Sequence, residues 1–245
     1  MKIPKQRLDL LLVERALFPS REKAQRAIMA GAVRSGDRVF SKPGEQIACD
    51  SPLQVQAAEK YVGRGGLKLE GALDHFKINP AGWVCIDVGA STGGFTDCLL
   101  QRGASKVYAV DSGHDQLDWK IRSDPRVVVH EKYNARRAEV TDFPEKMQLA
   151  VIDVSFISLT LILPAVVDLL SPAGMVVALI KPQFELQKND IGAGGVVRDA
   201  RLHERAVSRI KTFVESAGRL QWRGVIPSPI TGMTGNQEFL AWLAL

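Results

Sequence analysis

Four short apolar runs in this chain each end on a charged residue. WVCID, KVYAVD, LAVID and VVALIK end on Asp87, Asp111, Asp153 and Lys181 respectively. Parallel strands that are buried on both faces read as continuous apolar runs, and open α/β sheets bind ligands beyond the carboxyl ends of their strands. The pattern therefore predicts a mostly parallel sheet with a polar site along one edge.

The elements around these runs indicate the fold class. From residue 67 to about residue 225, helical segments and apolar strands alternate, which is typical of βαβ units with helices on both faces of the sheet. The closing stretch NQEFLAWLAL has strand character, and we expect it to pair at the far side of the sheet. The sequence predicts an α/β, Rossmann-like domain.

The first quarter of the chain has a different character. Residues 1–60 carry 11 Lys and Arg against 7 Asp and Glu, whereas the remainder is nearly balanced. Its pattern predicts two helices and a turn-rich β segment, with Ser20 capping a helix from Arg21 and Gly31 ending it. A basic module suggests a polyanionic partner, although a solvated charged face has the same composition.

This segment resembles the small RNA-binding module named for ribosomal small-subunit protein four. The resemblance rests on RLDLLLVERALFPSREKAQRAIMAGAV followed by GDRVFSKPG, although the chain has Ser35-Gly36-Asp37 where that family usually has Asn-Gly. It implies a small α+β RNA-binding domain over residues 1–58, a glycine-rich connector over 59–66 and a second domain over 67–245. The residues expected to contact RNA are Arg7, Ser20, Arg21, Lys23, Arg26, Arg34, Arg38, Lys42 and Arg64.

The cysteines and the hydropathy pattern bear on the class of protein. Cys49, Cys85 and Cys98 are widely spaced and form no CxxC or Cys/His ligand pair, so we expect reduced thiols and no metal site. No stretch reaches about 18 uninterrupted apolar residues, so we expect neither a signal peptide nor a membrane span. These patterns favour a cytoplasmic protein and make no prediction about its oligomeric state.

A glycine-rich turn follows the first strand of the predicted sheet. DVGASTGGF places glycines before a helix that starts near Phe95, where backbone N–H groups can meet a ligand. The spacing fits neither GxGxxG nor the lysine-containing nucleotide triphosphate loop. Asp111 ends the next strand, where a carboxylate can accept from a ribose hydroxyl of NAD or of S-adenosylmethionine. Asn134 follows the third strand, at a position from which it could meet an adenine.

A second resemblance favours one of these two cofactors. DVGASTGGFTDCLL closely resembles the FtsJ-type ribose methyltransferases, and the order of acidic and glycine positions is similar to that of Rossmann-like class I methyltransferases. The resemblance implies S-adenosylmethionine as cofactor, with a dehydrogenase as the alternative. The expected cofactor-binding residues are Asp87, Gly89, Ala90, Ser91, Thr92, Gly93, Gly94, Phe95, Asp111, Ser112, Asn134 and Asp153.

The residues after Asp153 bear on the reaction. They read Val-Ser-Phe and not the Asn/Asp-Pro-Pro-aromatic tetrad expected for methylation of a base amine, which disfavours that reaction. A ribose 2′-hydroxyl is weakly acidic, so a site that methylates it must remove its proton or stabilise the developing alkoxide. A lysine beside a carboxylate can serve either purpose, and no metal is required.

The FtsJ resemblance implies a Lys-Asp-Lys-Glu catalytic tetrad. The matching residues are Lys68, Asp153, Lys181 and Glu238. It implies that Lys181 acts on the hydroxyl, that Asp153 orients Lys181, and that the other two position the ribose. Taken alone, Lys68 reads as a solvated helix lysine, and Glu238 reads as a charge that protects an edge strand.

The chain as a whole resembles the TlyA family. YVGRGGLKLEGAL, DVGASTGGFTDC, DVSFIS, IKPQFE and GGVVRD occur in order over about residues 6–244. The resemblance implies methylation of cytidine 2′-hydroxyls in ribosomal RNA, within ribosomal subunits, although many members carry the name haemolysin. Two alternatives stay open at this point: an RNA-binding ribosome-assembly factor without turnover, and a membrane-active haemolysin. The glycine-rich stretch around residues 191–197 reads equally as a lid or as a connector.

Overall fold

The structure, a computed structural model, describes residues 3–56 and 59–245. The chain divides into two compact units, residues 1–59 and residues 60–245. The division falls at the start of the expected connector. The two units are described separately below.

The first unit contains two helices and two small sheets. Its elements are β1 (Lys5–Arg7), α1 (Leu8–Glu14), α2 (Arg21–Met29), β2 (Val33–Ser35), β3 (Arg38–Val39), β4 (Gln46–Ala48) and β5 (Gln54–Val55). β1 pairs with β4, and β2 lies between β3 and β5, all antiparallel.

The predicted limits of the second helix are confirmed. The Ser20 side chain accepts from the backbone N–H of Lys23 at 3.3 Å, which caps the first turn of α2. Gly31 follows the helix with a φ of +73°, a left-handed conformation that glycine adopts without strain. Buried residues of both helices, including Leu12 and Ile28, share one small core with Val33 of β2. The sequence did not predict β1.

The second unit contains seven strands and six helices among its described residues. Its elements are α3 (Gly65–Phe76), β6 (Val84–Val88), α4 (Gly94–Gln101), β7 (Lys106–Val110), α5 (Trp119–Arg122), β8 (Val127–His130), β9 (Met147–Ile152), α6 (Leu163–Asp168), β10 (Leu170–Ile180), α7 (Pro182–Glu185), α8 (Ala200–Ala217), β11 (Gln221–Pro227) and β12 (Phe239–Ala244). Short 3-10 helices occur at Ala135–Arg137, Val140–Asp142, Leu159–Leu161, Lys188–Asp190 and Ala193–Gly195.

The seven strands form one sheet in the order β11-β12-β10-β9-β6-β7-β8. β10, β9, β6, β7 and β8 are parallel, and β12 runs antiparallel to both of its neighbours. The last strand pairs at the side of the sheet remote from β8, as expected, and it lies one strand in from the edge, with β11 outermost. Leu240, Ala241 and Leu243 are fully buried, as is typical of a strand inside a covered sheet, whereas β11 carries polar residues and forms the edge.

Helices cover both faces of this sheet. Successive strand residues point to opposite sides, so that Cys85 of β6 packs in the same core as Leu69 of α3, and Ile86 packs with Ile210 of α8. The predicted α/β class, with a mostly parallel sheet between helical layers, is confirmed.

The carboxyl ends of β6, β7, β9 and β10 meet at one edge of the sheet. Asp111, Asp153 and Lys181 each directly follow their strand, and Asp87 is the penultimate residue of β6. Four charged residues from distant parts of the sequence therefore occupy the edge at which open α/β sheets bind their ligands.

Candidate active site

Lys181 and Asp153 form an ion pair at the ends of neighbouring parallel strands. Lys181 Nζ lies 2.6 Å from Asp153 Oδ1 and donates a hydrogen bond to Ser155 Oγ at 2.8 Å. The contact with the carboxylate is a charge pairing whose angles fall outside hydrogen-bond geometry, so the directed bond of the ammonium is the one to Ser155. Lys181 is 9% exposed, which leaves little room for its side chain to move.

Lys68 and Glu238 form a second buried pair at the same edge. Lys68, on the first turn of α3, places Nζ 2.6 Å from Glu238 Oε2. Glu238 immediately precedes β12 and is not part of that strand, which corrects our placement of it in the final strand. Phe239 pairs with Ile180, so the strand register puts Glu238 beside Lys181. Both residues are buried, and neither the solvated nor the edge-strand interpretation holds for them.

The four residues of the predicted tetrad therefore lie together. A Cβ on Gly65, three residues before Lys68, would lie 3.8 Å from Asp153 Oδ2, so the start of α3 approaches the first pair. Two lysines and two carboxylates in this arrangement pair with one another and can still present N–H groups to a substrate.

A short loop encloses the carboxylate of Glu238. The backbone carbonyl of Glu238 accepts from the N–H of Ser228 at 2.8 Å. Gly232 packs so closely against the side chain that a Cβ there would lie 2.5 Å from Glu238 Oε1. Sequence reasoning missed this loop, although the glycine pair in TGMTG was a visible signal.

The glycine-rich turn between β6 and α4 runs against the end of β9. A Cβ on Gly89, whose φ is +89°, would lie 2.4 Å from the carbonyl oxygen of Asp153. Gly93 has a φ of +95°, and a Cβ there would lie 2.9 Å from Leu117 and 3.2 Å from Ile121. A side chain at Gly89 would displace the turn from the end of β9, and one at Gly93 would press on Leu117 and Ile121, so both positions favour glycine.

Asp87 anchors this turn from below. Its carboxylate is fully buried, and Oδ2 accepts from Thr96 Oγ1 at 2.6 Å. Oδ1 makes no hydrogen bond to any residue that the structure describes. Burial raises the pKa of Asp87 to about 7, against the lowering effect of the Thr96 hydroxyl, and the nearby charge of Asp153 raises it further.

Asp111 lies at the mouth of a narrow cleft beside the turn. Its Oδ2 accepts from the backbone N–H of Ser91 at 2.8 Å, and its Oδ1 accepts from that of Gly113 at 2.7 Å. The cleft is lined by Ala90, Ser91, Ala109, Asp111, Gly113, Gln116, Leu117, Val129 and Glu131.

The residues that line the cleft have the chemistry expected for binding the nucleoside part of S-adenosylmethionine. Leu117 and Val129 supply apolar walls of the kind that sandwich a base, and each oxygen of Asp111 keeps a lone pair for a ribose hydroxyl. Sequence reasoning missed Gln116, Leu117 and Glu131, which belong to no recognisable motif.

Other expected cofactor residues lie at varying distances from the cleft. Thr92, Gly94 and Phe95 continue the glycine turn into α4, and Ser112 follows Asp111 as an exposed residue. Asn134 is exposed, and its Oδ1 accepts from the N–H of Arg136 at 3.2 Å, which caps the 3-10 helix that follows.

The expected connector packs against the glycine turn. Tyr61 is buried in the core that contains α3 and α4, and the N–H of Val62 donates to Asp97 Oδ2 at 2.9 Å. A Cβ on Gly94 would lie 3.0 Å from the carbonyl oxygen of Gly63. The sequence did not indicate this packing or the anchoring role of Asp97.

In the first unit, two of the expected RNA-binding arginines also bind a buried carboxylate. Arg7 and Arg21 each approach Asp9 Oδ2 at 2.9 Å, and Gln25 donates to the same oxygen at 2.8 Å. The Arg7 guanidinium, more than the other donors, holds the pKa of Asp9 far below its usual range despite burial. Asp9 was not among the residues singled out from the sequence.

The remaining expected RNA-binding residues differ in their surroundings. Exposed positions in the first unit are Lys23, Arg26, Arg34, Arg38 and Lys42. Arg38 also pairs with Glu45 and lies 5.0 Å from the ring centre of Phe40. In the second unit, Arg64 donates to the carbonyl of Thr231 at 3.1 Å, in the loop that encloses Glu238.

An exposed aromatic residue lies next to the tetrad. Phe156 is 90% exposed and has a φ of +63°, which is strained for a residue with a side chain. Its ring centre lies 5.1 Å from that of Phe184, which follows Lys181 by three residues. Sequence reasoning missed this aromatic pair.

The described residues contain neither a metal-ligand cluster nor a membrane-spanning helix. They contain no group of three or more His, Cys, Asp or Glu side chains placed to hold a metal ion. None of the helices in the described ranges combines the length and apolar character needed to cross a bilayer.

Comparison with known families identifies the second unit. The family model for FtsJ-like methyltransferases matches residues 61–245. The chain belongs to the FtsJ-like methyltransferase family. The matched range contains both ion pairs, the glycine turn and the Asp111 cleft, so the FtsJ-like assignment covers the whole candidate site.

Relatives extend the similarity of this FtsJ-like protein to the first unit. A Bacillus subtilis protein named as a candidate rRNA methyltransferase, YqxC, is 51% identical and covers 99% of this chain and 87% of its own length. The 16S/23S rRNA (cytidine-2′-O)-methyltransferase TlyA of Mycobacterium tuberculosis is 44% identical, with coverage of 97% and 89%. A solved structure of a Streptococcus thermophilus protein named as a candidate hemolysin is 47% identical, with a TM-score of 0.75. The match covers 99% of this chain and 89% of that one.

Proposed function

We propose that this protein transfers a methyl group from S-adenosylmethionine to the 2′-hydroxyl of cytidine in ribosomal RNA. The observation that carries the proposal is the pairing of Lys181 with Asp153 and of Lys68 with Glu238 at the sheet edge, beside the Asp111 cleft. The activity for which the Mycobacterium tuberculosis relative is named supports it.

The methyl donor is held by the glycine turn and the cleft. In this proposal Asp87 and Gly89, with the residues up to Phe95, shape the turn that faces the methionine part of the donor. Asp111 accepts from its ribose hydroxyls, and Leu117 and Val129 flank its base. The contact of Asn134 with the adenine stays a prediction. When bound, S-adenosylmethionine supplies an electrophilic methyl group on a positively charged sulfur.

The residues of the tetrad perform the chemistry on the RNA. In its neutral form, Lys181 Nζ takes the proton of the 2′-hydroxyl as the hydroxyl oxygen bonds to the methyl carbon and the bond from that carbon to sulfur breaks, while Asp153 holds the amine in place and faces the donor. Lys68 and Glu238 position the ribose so that oxygen, methyl carbon and sulfur lie in line, and alignment of this kind supplies much of the rate of a displacement. The hydroxyl proton is weakly acidic, so a positioned base is what the reaction requires of the protein.

The first unit binds the RNA in this proposal. In this proposal residues 1–58 form the RNA-binding module, residues 59–66 connect it to the methyltransferase domain at 67–245, and the target is ribosomal RNA within ribosomal subunits in the cytoplasm. The exposed Lys23, Arg26 and Arg34 support it, since clustered cations bind phosphates and release counterions.

The proposal is tested by locating the transferred methyl group. Purified protein is incubated with ribosomal subunits and methyl-labelled S-adenosylmethionine, and the RNA is then digested to nucleosides. We expect the label in 2′-O-methylcytidine. Label on a base, or no label in RNA of either subunit, would contradict the proposal.

A further inference from the structure

Ser155 is the residue that shares Lys181 with Asp153. Ser155 Oγ accepts a hydrogen bond from Lys181 Nζ at 2.8 Å. The same Nζ atom lies 2.6 Å from Asp153 Oδ1. Ser155 is exposed and lies three residues beyond the end of β9. The tetrad does not include it.

The contact matters because of the number of bonds that a neutral amine can make. A neutral lysine has two N–H donors and one lone pair. One N–H of Lys181 is directed to Ser155, and the Asp153 carboxylate lies 2.6 Å from Nζ on another side, so the lone pair faces the remaining direction. An amine without the bond to Ser155 keeps only the undirected contact with Asp153, rotates about its Cε–Nζ bond and spends part of its time with the lone pair turned away from the substrate.

The segment that carries Ser155 has little packing of its own at residue 156. Phe156 adopts a left-handed backbone conformation, and its ring is 90% exposed with one aromatic neighbour, Phe184. The segment is fastened at its other end, where Leu159 is fully buried.

The carboxylate of Glu185 holds this end of the segment through two hydrogen bonds. Its Oε2 accepts from Ser158 Oγ at 2.6 Å, and its Oε1 accepts from the backbone N–H of Leu159 at 2.8 Å. Glu185 closes α7, four residues after Lys181, and is 1% exposed. Burial of such a carboxylate is unfavourable unless it is hydrogen-bonded, and both oxygens are used on the Ser155 segment.

The geometry points to Ser155 as a further functional residue of the site, one that orients the lone pair of Lys181, with Glu185 as the positioning residue that fixes the segment. This inference rests on the proposed function, because it assigns a role within the same proton transfer. Glu185 links the chain after Asp153 to the chain after Lys181, so one side chain sets the relative positions of the base and its two acceptors.

Single-turnover methyl transfer, with RNA and S-adenosylmethionine saturating, tests the role of Ser155. We expect Ser155→Ala to slow the chemical step about tenfold or more, since correct presentation of a general base contributes on that scale. Ser155→Thr, which keeps the hydroxyl, stays within about threefold of the parent. The Tm and the affinity for S-adenosylhomocysteine remain unchanged in both variants. Ser216→Ala, a remote exposed serine on α8, is the control and transfers at the parent rate.

The role of Glu185 is tested by one variant of Glu185 itself and one variant of its partner Ser158. Glu185→Gln keeps an acceptor for the N–H of Leu159 and offers its amide to the Ser158 hydroxyl, so we expect transfer close to the parent rate. Ser158→Ala breaks one of the two bonds and slows the chemical step without weakening RNA binding. If Glu185→Gln loses as much rate as Ser155→Ala while remaining folded, the positioning role of Glu185 is wrong.

The outcomes separate this inference from the proposed function. If Ser155→Ala transfers at the parent rate while Lys181→Met has lost activity, the inference is overturned and the proposed function stands. The inference also fails if Ser155→Thr is as slow as Ser155→Ala, or if the slower rate is accompanied by a matching loss of Tm. If Lys181→Met itself transfers at the parent rate, the proposed function fails.

Discussion

Lys68 Nζ and Glu238 Oε2 lie 2.6 Å apart although their residues are 170 positions apart in the sequence. Both side chains are buried, with exposures of 10% and 3%. A buried charge without its partner is strongly destabilising, so each residue requires the other. The pair therefore joins α3 to the chain segment that enters β12.

Lys68→Met should destabilise the protein and also stop its reaction. The substitution leaves the carboxylate of Glu238 buried and unpaired, which costs about 3–5 kcal/mol in the free energy of unfolding. We expect the double variant Lys68→Met/Glu238→Gln to regain most of that stability while methyl transfer stays low. Chemical unfolding and single-turnover transfer, measured on the same preparations, check both expectations. A double variant with parent activity would show that the pair is structural only.

Asp87→Asn should change how stability depends on pH. Burial raises the pKa of Asp87 to about 7, so between about pH 4 and pH 7 the folded protein holds a proton that the unfolded chain has released. The contribution of Asp87 to stability is thus present at low pH and is lost as the pH rises through that window. Asparagine stays neutral throughout the range. We expect the stability of the variant relative to the parent to rise by up to about 4 kcal/mol between pH 4.5 and pH 8.

The measurement for Asp87 is the Tm of both proteins across that pH range, without methyl donor. Thr96→Val is a useful companion because it removes the hydroxyl that favours the charged form of Asp87. A difference between parent and Asp87→Asn that is constant with pH would contradict the assigned protonation.

The edge of the sheet could be predicted because it depends on a local pattern. Strands buried on both faces leave a continuous apolar run, and a polar residue marks where each one ends, as at Asp111 and Asp153. The contacts of Lys68 and Glu238 could not be predicted in this way. Neither residue follows a parallel strand, so both were placed through family resemblance, and their pairing depends on β12 entering the sheet beside β10.

Lys23→Ala and Arg21→Ala should separate RNA contacts from structural contacts in the first unit. Lys23 is exposed at the start of α2, whereas Arg21 also binds the buried Asp9. We expect Lys23→Ala to weaken RNA binding uniformly across sequences and to leave stability unchanged. The slope of the logarithm of the RNA-binding constant against the logarithm of salt concentration should fall in magnitude by about 1. Arg21→Ala should weaken binding and also lower Tm. The two measurements are salt-dependent RNA titration and thermal unfolding. Equal losses of Tm in Lys23→Ala and Arg21→Ala would contradict the structural role assigned to Arg21 alone.

The Asp9 network shows a second limit of sequence reasoning. Arg7 and Arg21 have the residue type and positions of phosphate ligands, and the pattern alone cannot tell that a carboxylate buried between them already engages both. The glycine turn shows the same limit, because the packing of Gly63 on Gly94 needs coordinates to be seen.

Phe156→Ala should impair the use of RNA and leave cofactor binding intact. Its exposed ring pairs with Phe184 beside Lys181, where an unstacked base of the RNA can stack on it. Loss of one stacked base is worth about 1–3 kcal/mol, so we expect kcat/KM for RNA to fall by about 5- to 150-fold. The comparison variant is Phe156→Tyr, which keeps a stacking surface. An unchanged kcat/KM in Phe156→Ala would exclude a role in RNA recognition.

The most direct test of the account is methyl transfer by Lys181→Met, because the variant keeps the length of the side chain and removes the amine. Parent and variant are compared in single turnover on ribosomal RNA with labelled S-adenosylmethionine, after equal donor binding has been verified. The account predicts that the parent labels cytidine 2′-oxygens and that Lys181→Met is slower by about 100-fold or more. Transfer at the parent rate by Lys181→Met would contradict it.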